Sequence, residues 1–142
     1  ANRRQITTWY RERLADVPVT IPFADQPVSD TSAHVFVVVT RSGEERDRLN
    51  QRLRDQDVQT SRHYPPSHLF SIYRSEAAAS GSLSRTESFA RRVLTLPLHP
   101  KMTVSEVDRV CDLVRKELQG DRPSIRRTRT EPGTGQTRRE EA

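Results

Sequence analysis

The chain has 142 residues, enough for one domain, and a formal net charge of +5 with 30% charged residues. It has no apolar leader segment and no run near the roughly 20 apolar residues that cross a bilayer, so we expect a soluble, cytoplasmic protein. A single cysteine, Cys111, excludes an internal disulfide framework and argues against a cysteine-based zinc site. We interpret Cys111 as a small core residue because apolar residues flank it at helical spacing.

The positive charge comes almost entirely from arginine, since Lys101 and Lys116 are the only lysines. A basic balance is typical of proteins that bind nucleic acid. Here much of the excess lies near the N-terminus and after Gly120, while the middle of the chain mixes both signs. This distribution favours a solvated surface, and we expect no nucleic-acid partner; an arginine-rich tail that binds nucleic acid is the alternative.

The first predicted element is a helix over residues 2–16. Its apolar residues recur near the helical period, namely Ile6, Trp9, Tyr10 and Leu14. No convincing N-cap precedes this segment, so we expect the helix to continue from an upstream part of a longer protein. Residues 17–33 contain three prolines and predict an extended connector.

Three segments predict strands. Residues 34–40 are rich in valine, residues 58–64 are a second candidate, and residues 93–98 are the third. Prolines end the second and third segments, which stops regular pairing there. The pattern does not decide the direction of the strands.

Three spacings predict capping boxes at the starts of helices, because a hydroxyl and a glutamate three residues later can satisfy each other's backbone amides. They are Ser42 to Glu45, Ser84 to Glu87, and Thr103 to Glu106. The last helix carries one apolar stripe, made of Val104, Val107, Val110, Cys111, Val114 and Leu118, and Gly120 is its stop. Residues 67–74 have room for one helical turn, and residues 77–82 predict a mobile loop.

The order of these elements predicts an α+β fold, with a small sheet of three or four strands covered by helices. The domain organisation follows from the same pattern. Residues 1–16 are a helix that continues from a missing upstream domain, residues 17–120 are the folded domain, and residues 121–142 are a disordered basic tail.

A polar cluster over residues 62–68 is the candidate site. It places Arg62, His63, Tyr64 and His68 at the end of a predicted strand, where loops often carry ligand sites. These side chains are hydrogen-bond donors to a phosphate or a sugar hydroxyl. A turn with polar surface residues is the alternative. The spacing of the histidines does not match a metal site, and we predict no metal.

These residues, in order, resemble the C-terminal domain of the DegT/DnrJ/StrS sugar aminotransferases. Two blocks carry most of the resemblance: Val58-x-Thr60-x-x-His63-Tyr64-Pro65, and Val93-Leu94-Thr95-Leu96-Pro97-Leu98-His99-Pro100. The match covers about residues 2–116. Two local departures stand out. The loop between Pro65 and His68 is shorter than in the family, and Asp57 stands where the family often has glycine.

The resemblance implies the small C-terminal domain of a fold-type I enzyme. Such enzymes use pyridoxal phosphate to move an amino group from glutamate or glutamine to a keto sugar, usually linked to a nucleotide, and they are homodimers. It also implies that His63 and Tyr64, with His68 nearby, contact the nucleotide sugar.

The family's catalytic lysine lies in a domain that this chain lacks, and neither Lys101 nor Lys116 matches its position. We therefore predict no catalytic residue, no cofactor bound by this chain alone, and no activity for the isolated chain. The alternative function is a non-catalytic nucleotide-sugar-binding or regulatory remnant.

Overall fold

The computed structural model describes residues 2–73 and 83–120. Its helices and strands follow one another as α1 (Arg3–Arg13), β1 (Phe36–Val39), α2 (Gly43–Arg54), α3 (Ser84–Arg92), β2 (Val93–Leu96) and α4 (Val104–Gln119). Short 3₁₀ turns lie at Val28–Asp30, Ser67–Leu69 and Ser71–Tyr73. The predicted mobile loop at 77–82 and the predicted tail at 121–142 lie outside the described residues. No helix in the described ranges is long and apolar enough to cross a membrane.

The two strands form one antiparallel sheet, in which Phe36 pairs with Leu96 and Val39 with Val93. The α+β class is thereby confirmed. The number of strands differs from the prediction, because the segment at 58–64 forms only an isolated bridge between Ser61 and Thr95. Thr20, in the proline-rich connector, makes a second isolated bridge to Val39 on the other edge. The sheet therefore has two regular strands, with one short extended contact on each side.

The segment at 58–64 leaves the sheet because neighbouring groups engage its backbone and side chains on both sides of Ser61. The amide of Val58 donates to the carbonyl of Leu53 at 2.9 Å, which holds the start of the segment against the end of α2. Thr60 donates to Asn50 on α2 at 2.6 Å. Pro65 and Pro66 then supply no amide donors to a longer ladder. Only Ser61 is left to exchange both backbone hydrogen bonds with Thr95.

The alternation of side chains along the strands gives the sheet two different faces. Phe36, Val38, Leu94 and Leu96 share one face and belong to the hydrophobic core. The core is completed by apolar residues of the helices, mainly Ile6, Tyr10, Leu14, Leu49, Leu53, Val107, Val110, Val114 and Leu118. The opposite face carries Val37 and Thr95. The core helices therefore pack against one face of the sheet, and Thr95 stands on the other, where Val39 and Val93 are also buried.

Tyr10 connects α1 to the sheet through both its ring and its hydroxyl. The ring stacks on Phe36 with centroids 4.6 Å apart, and the hydroxyl donates to the carbonyl of Pro97 at 2.9 Å. Burial, with smaller contributions from Cys111 and Glu106, raises the pKa of Tyr10 far above its ordinary value. Tyr10 therefore stays a neutral donor and holds the chain in place where it leaves β2.

The core position predicted for Cys111 is confirmed, since the residue is 1% exposed on the inner side of α4. Burial raises the pKa of its thiol to about 12, an effect that the nearby arginines Arg13 and Arg115 only partly offset. A thiol that stays protonated at neutral pH is a poor nucleophile. The predicted stripe of α4 is confirmed except at Val104, which is 41% exposed.

The helix starts only partly follow the predicted capping boxes. Thr103 and Glu106 form the complete reciprocal pair at the start of α4. Ser42 accepts from the amide of Glu45 as predicted, but the carboxylate of Glu45 reaches one residue further back, to the amide of Arg41 at 2.8 Å.

Two other expectations about helix starts are wrong. Ser84 is the first residue of α3 rather than its cap, and the preceding Leu83 makes no side-chain cap bond. The glutamate of that spacing, Glu87, is instead turned toward His68. At α1, the side chain of Asn2 accepts from the amide of Gln5 at 3.1 Å and so supplies the N-cap that the sequence did not reveal.

Thr103 allows the contribution of the α4 cap to stability to be measured. Thr103→Ala removes the acceptor for an otherwise unpaired amide of α4, and we expect the free energy of unfolding to fall by about 1 kcal/mol. Ser84→Ala is the matched control, because Ser84 makes no cap bond, and we expect a change below about 0.3 kcal/mol. Urea denaturation followed by circular dichroism measures both. Equal effects of the two substitutions would contradict the assignment of caps.

Asp57 has a backbone conformation whose energetic cost can be measured. Its φ of 55° lies in the left-handed region, which costs a side-chain-bearing residue more than it costs glycine. We expect Asp57→Gly to raise the free energy of unfolding by about 0.5 kcal/mol in the same denaturation assay. Asp55→Gly, at a right-handed φ of −62°, should lower it instead. Loss of stability in the Asp57→Gly variant would overturn this explanation.

Candidate functional site

A groove of about 370 Å³ lies on the face of the sheet that carries Thr95. Its apolar part comes from the segment that follows β2, including Pro97 and Leu98. Its polar lining residues are His34, Gln59, Thr60, Ser61, His63, Thr95 and His99. No carboxylate is among the described residues that line it. The groove is therefore rich in hydrogen-bond donors and lacks negative charge.

His63 is the member of the predicted cluster that lines this groove, and two hydroxyls hold its ring. Its Nδ1 lies 3.1 Å from Oγ1 of Thr95 and 3.1 Å from Oγ of Ser61. The backbones of Ser61 and Thr95 are themselves joined by hydrogen bonds of 3.2 and 2.9 Å. The ring is thus oriented by the sheet, and its Nε2 makes no hydrogen bond within residues 2–73 and 83–120.

Tyr64 lies beside His63, with the two rings edge to face and their centroids 4.9 Å apart. The side chain is 74% exposed and does not line the groove. Arg62, on the other side of His63, forms an exposed ion pair with Asp47 at 3.3 Å. The phenol of Tyr64 is therefore exposed to solvent, whereas the guanidinium of Arg62 is paired with a carboxylate of α2.

His68 is not in the groove. Its Nε2 lies 3.2 Å from Oε1 of Glu87 on α3, and only 17% of its side chain is exposed. Glu87 also lies 3.8 Å from Arg91 one turn later. The structure thus brings His63 and Tyr64 together, but it attaches His68 to α3.

The groove also contains residues that the sequence did not predict as site residues. His34 precedes β1, and Thr95 and His99 come from the segment of β2 and its exit. They are far apart along the chain and come together because β1 and β2 pair in antiparallel register. Thr95 lies between Leu94 and Leu96 in β2, and side chains alternate between the faces of a strand. The polar residue between two leucines was therefore a weak sequence signal that Thr95 faces away from the core.

Neither lysine is placed to form a Schiff base with a cofactor. Lys101 and Lys116 are both exposed, and neither lines the groove of His63. Lys116 lines a separate surface depression together with Asp108 and Asp112. Neither lysine therefore shares the groove of His63 in the described residues. Within those residues there is also no group of three or more His, Cys, Asp or Glu that could hold a metal.

Comparison with known proteins identifies the family. Residues 1–115 match the model of the DegT/DnrJ/EryC1/StrS aminotransferase family. The chain belongs to this family. Members of this aminotransferase family depend on pyridoxal phosphate.

Two curated relatives of this aminotransferase chain are named as enzymes of dTDP-linked sugars. It is 36% identical over 117 residues to the dTDP-4-dehydro-2,3,6-trideoxy-D-glucose 4-aminotransferase of Saccharopolyspora spinosa, a match that covers 82% of the chain and 29% of the relative. It is 40% identical over 116 residues to the dTDP-3-amino-3,4,6-trideoxy-alpha-D-glucose transaminase of Streptomyces venezuelae, covering 80% and 30% respectively. The chain thus spans about 30% of the length of these relatives.

Solved structures of the same family share the fold. DesV of S. venezuelae, crystallised with a ketimine intermediate, superposes with a TM-score of 0.70 at 37% identity, covering 87% of the chain and 32% of DesV. The aminotransferase TlmJ of Streptoalloteichus hindustanus superposes with a TM-score of 0.70 at 34% identity, covering 82% and 31%. The predicted resemblance and the fold are confirmed by these matches.

The contact between His68 and Glu87 leads to a prediction about local stability. Glu87→Ala removes the partner of His68, and we expect hydrogen exchange at the amides of Leu69 and Phe70 to become about twofold to fivefold faster. Arg91→Ala is the matched control, because it removes the other neighbour of Glu87 and leaves the contact with His68 intact. Mass spectrometry of exchange measures both variants. Unchanged exchange after Glu87→Ala would show that the contact does not hold this turn.

Proposed function

We propose that this chain is the substrate-contacting C-terminal part of a pyridoxal-phosphate sugar aminotransferase. In this proposal the complete enzyme moves an amino group from glutamate or glutamine to the keto group of a nucleotide-linked sugar. Family membership and the dTDP-sugar names of the relatives support the reaction class. The observation that carries the role of this chain is the oriented ring of His63 in a groove without carboxylates.

His63 and Tyr64 would act by binding and orienting the substrate. A donor that the sheet already holds in one orientation loses little entropy when it binds a ligand. The exposed phenol of Tyr64 both donates and accepts, as recognition of sugar hydroxyls requires. His68, half-buried against Glu87, would contribute to the same substrate region only from the neighbouring turn.

We further propose that the isolated chain does not catalyse amino transfer and binds no cofactor alone. The lysine that holds the cofactor would lie in a part of the enzyme outside these residues, because neither Lys101 nor Lys116 matches the position of the family's lysine. In that arrangement residues 1–16 join the domain of residues 17–120 to the lysine-bearing part, and residues 121–142 form a disordered basic tail. The complete enzyme would be a cytoplasmic homodimer without a nucleic-acid or membrane partner.

Binding of a dTDP-linked hexose to the purified chain, measured by calorimetry, tests the substrate role. We expect His63→Ala and Tyr64→Phe each to weaken binding by about threefold to tenfold, the loss of one ligand hydrogen bond. Tyr73→Phe is the matched control, because Tyr73 is also an exposed tyrosine but lies outside the cluster, and its affinity should not change. Absence of binding, or equal losses in all three variants, would contradict the proposal.

An assay of amino transfer from glutamate, with pyridoxal phosphate added, tests the predicted inactivity. We expect no turnover by the chain and no pyridoxyl group on Lys101 or Lys116 after borohydride reduction. Turnover by the chain alone would overturn that part. The coding sequence next to Ala1 decides between the enzyme and a non-catalytic binding or regulatory remnant: the enzyme requires a lysine-bearing aminotransferase segment there, and the remnant requires its absence.

A further inference from the structure

Three of the four histidines of the chain line the same groove. His34 lies before β1, His63 follows the bridge at Ser61, and His99 lies after β2. Their distance along the chain means that the sheet register, rather than a local motif, brings them to one place. The fourth histidine, His68, is paired with Glu87 elsewhere. The groove therefore brings together His63 and His99, which lie in two separate sequence blocks, with His34, which lies in neither.

These imidazoles have capacity left for a ligand. The rings of His34 and His99 are exposed and make no side-chain hydrogen bond within the described ranges. His63 uses Nδ1 for the hydroxyls of Ser61 and Thr95 and keeps Nε2. Each ring nitrogen that carries a proton donates, so the groove can offer several donors along its lining.

The carboxylate of Glu106 is close enough to His99 to interact with it electrostatically, but it is already hydrogen-bonded to Thr103. The carboxylate of Glu106 accepts from the amide of Thr103 at 2.7 Å and from its hydroxyl at 2.9 Å. These bonds to Thr103, together with a smaller effect of His99, lower the pKa of Glu106. Glu106 therefore serves as part of the helix cap, and it does not line the groove.

The composition of the groove selects one ligand chemistry. Imidazoles and hydroxyls without a carboxylate favour an anion with several acceptor oxygens. A divalent metal is not favoured, because the described histidines do not approach one another closely enough to form a metal-binding group. A volume of about 370 Å³ exceeds what a single small anion fills and lies in the range of small-molecule sites.

We propose that this groove binds the diphosphate of a nucleotide sugar, with His34 and His99 as binding residues in addition to His63. The identity of the ligand rests on the proposed function, whereas the anion site rests on the groove alone. His34 lies just before β1 and His99 lies just after β2, so that both are at the same end of the sheet. His63 lies in the segment that bridges to the edge of β2. The diphosphate bridges these three segments, and the attached sugar extends toward Tyr64 at the rim.

Inorganic pyrophosphate and a dTDP-linked hexose are the two probes, titrated into the 142-residue chain by calorimetry. We expect His34→Ala and His99→Ala each to weaken the binding of both probes by about tenfold, the loss of one charge-assisted hydrogen bond. Tyr73→Phe is the control, because Tyr73 is exposed and lies outside both the groove and the cluster, and the affinity of that variant should not change. Nonspecific binding to the arginine-rich surface would not change with any histidine substitution. Because His34 and His99 are exposed, circular dichroism should show that both variants keep the fold.

The outcomes separate this inference from the function on which its ligand rests. If the dTDP-hexose depends on His63 and Tyr64 but not on His34 or His99, the diphosphate site is wrong and the substrate role stands. If pyrophosphate depends on His34 and His99 but the dTDP-hexose does not displace it, the anion site stands and the substrate role fails. Pyrophosphate binding that none of the histidine substitutions weakens overturns the site.

Discussion

The antiparallel pairing of β1 with β2 is the constraint on which the rest of the structure depends. The register that places Phe36 opposite Leu96 also places Val37 opposite Thr95. Because side chains alternate along a strand, a shift of one residue would turn the apolar set away from the helices and bury Thr95 in the core. The same register therefore decides which residues stabilise the domain and which face the groove.

Tyr10 connects the hydrophobic core to the groove through a ring contact and a hydrogen bond. Its ring packs against Phe36, and its hydroxyl binds the carbonyl of Pro97, which lines the groove. A buried hydroxyl that lost its partner would cost the protein the desolvation of that group. The segment from Pro97 to His99 is thus held by an interaction that lies inside the hydrophobic core, although the segment itself reaches the surface.

His63 and His68 show why neighbouring residues of one motif acquire different surroundings. Between them, Pro65 and Pro66 turn the chain away from the sheet. His63 stays with the hydroxyls of Thr95 and Ser61, while His68 meets Glu87 on α3. Glu87 is available to His68 because it does not cap its own helix. The absence of a side-chain cap on α3 and the contact between His68 and Glu87 therefore both follow from the orientation of the Glu87 side chain.

The sequence by itself indicated the helices, the segments that contain β1 and β2, the core position of Cys111 and the family, and it predicted His63 and Tyr64 as site residues. These follow from local periodicity and from ordered motifs, which neighbouring residues encode. Only the tertiary structure decided that the segment at 58–64 contributes a single bridge, that Glu87 binds His68 instead of capping α3, and that His34 and His99 join His63 in one groove. Each of these depends on contacts between residues distant in the chain. No local pattern records such contacts, because they exist only after β1 and β2 have paired.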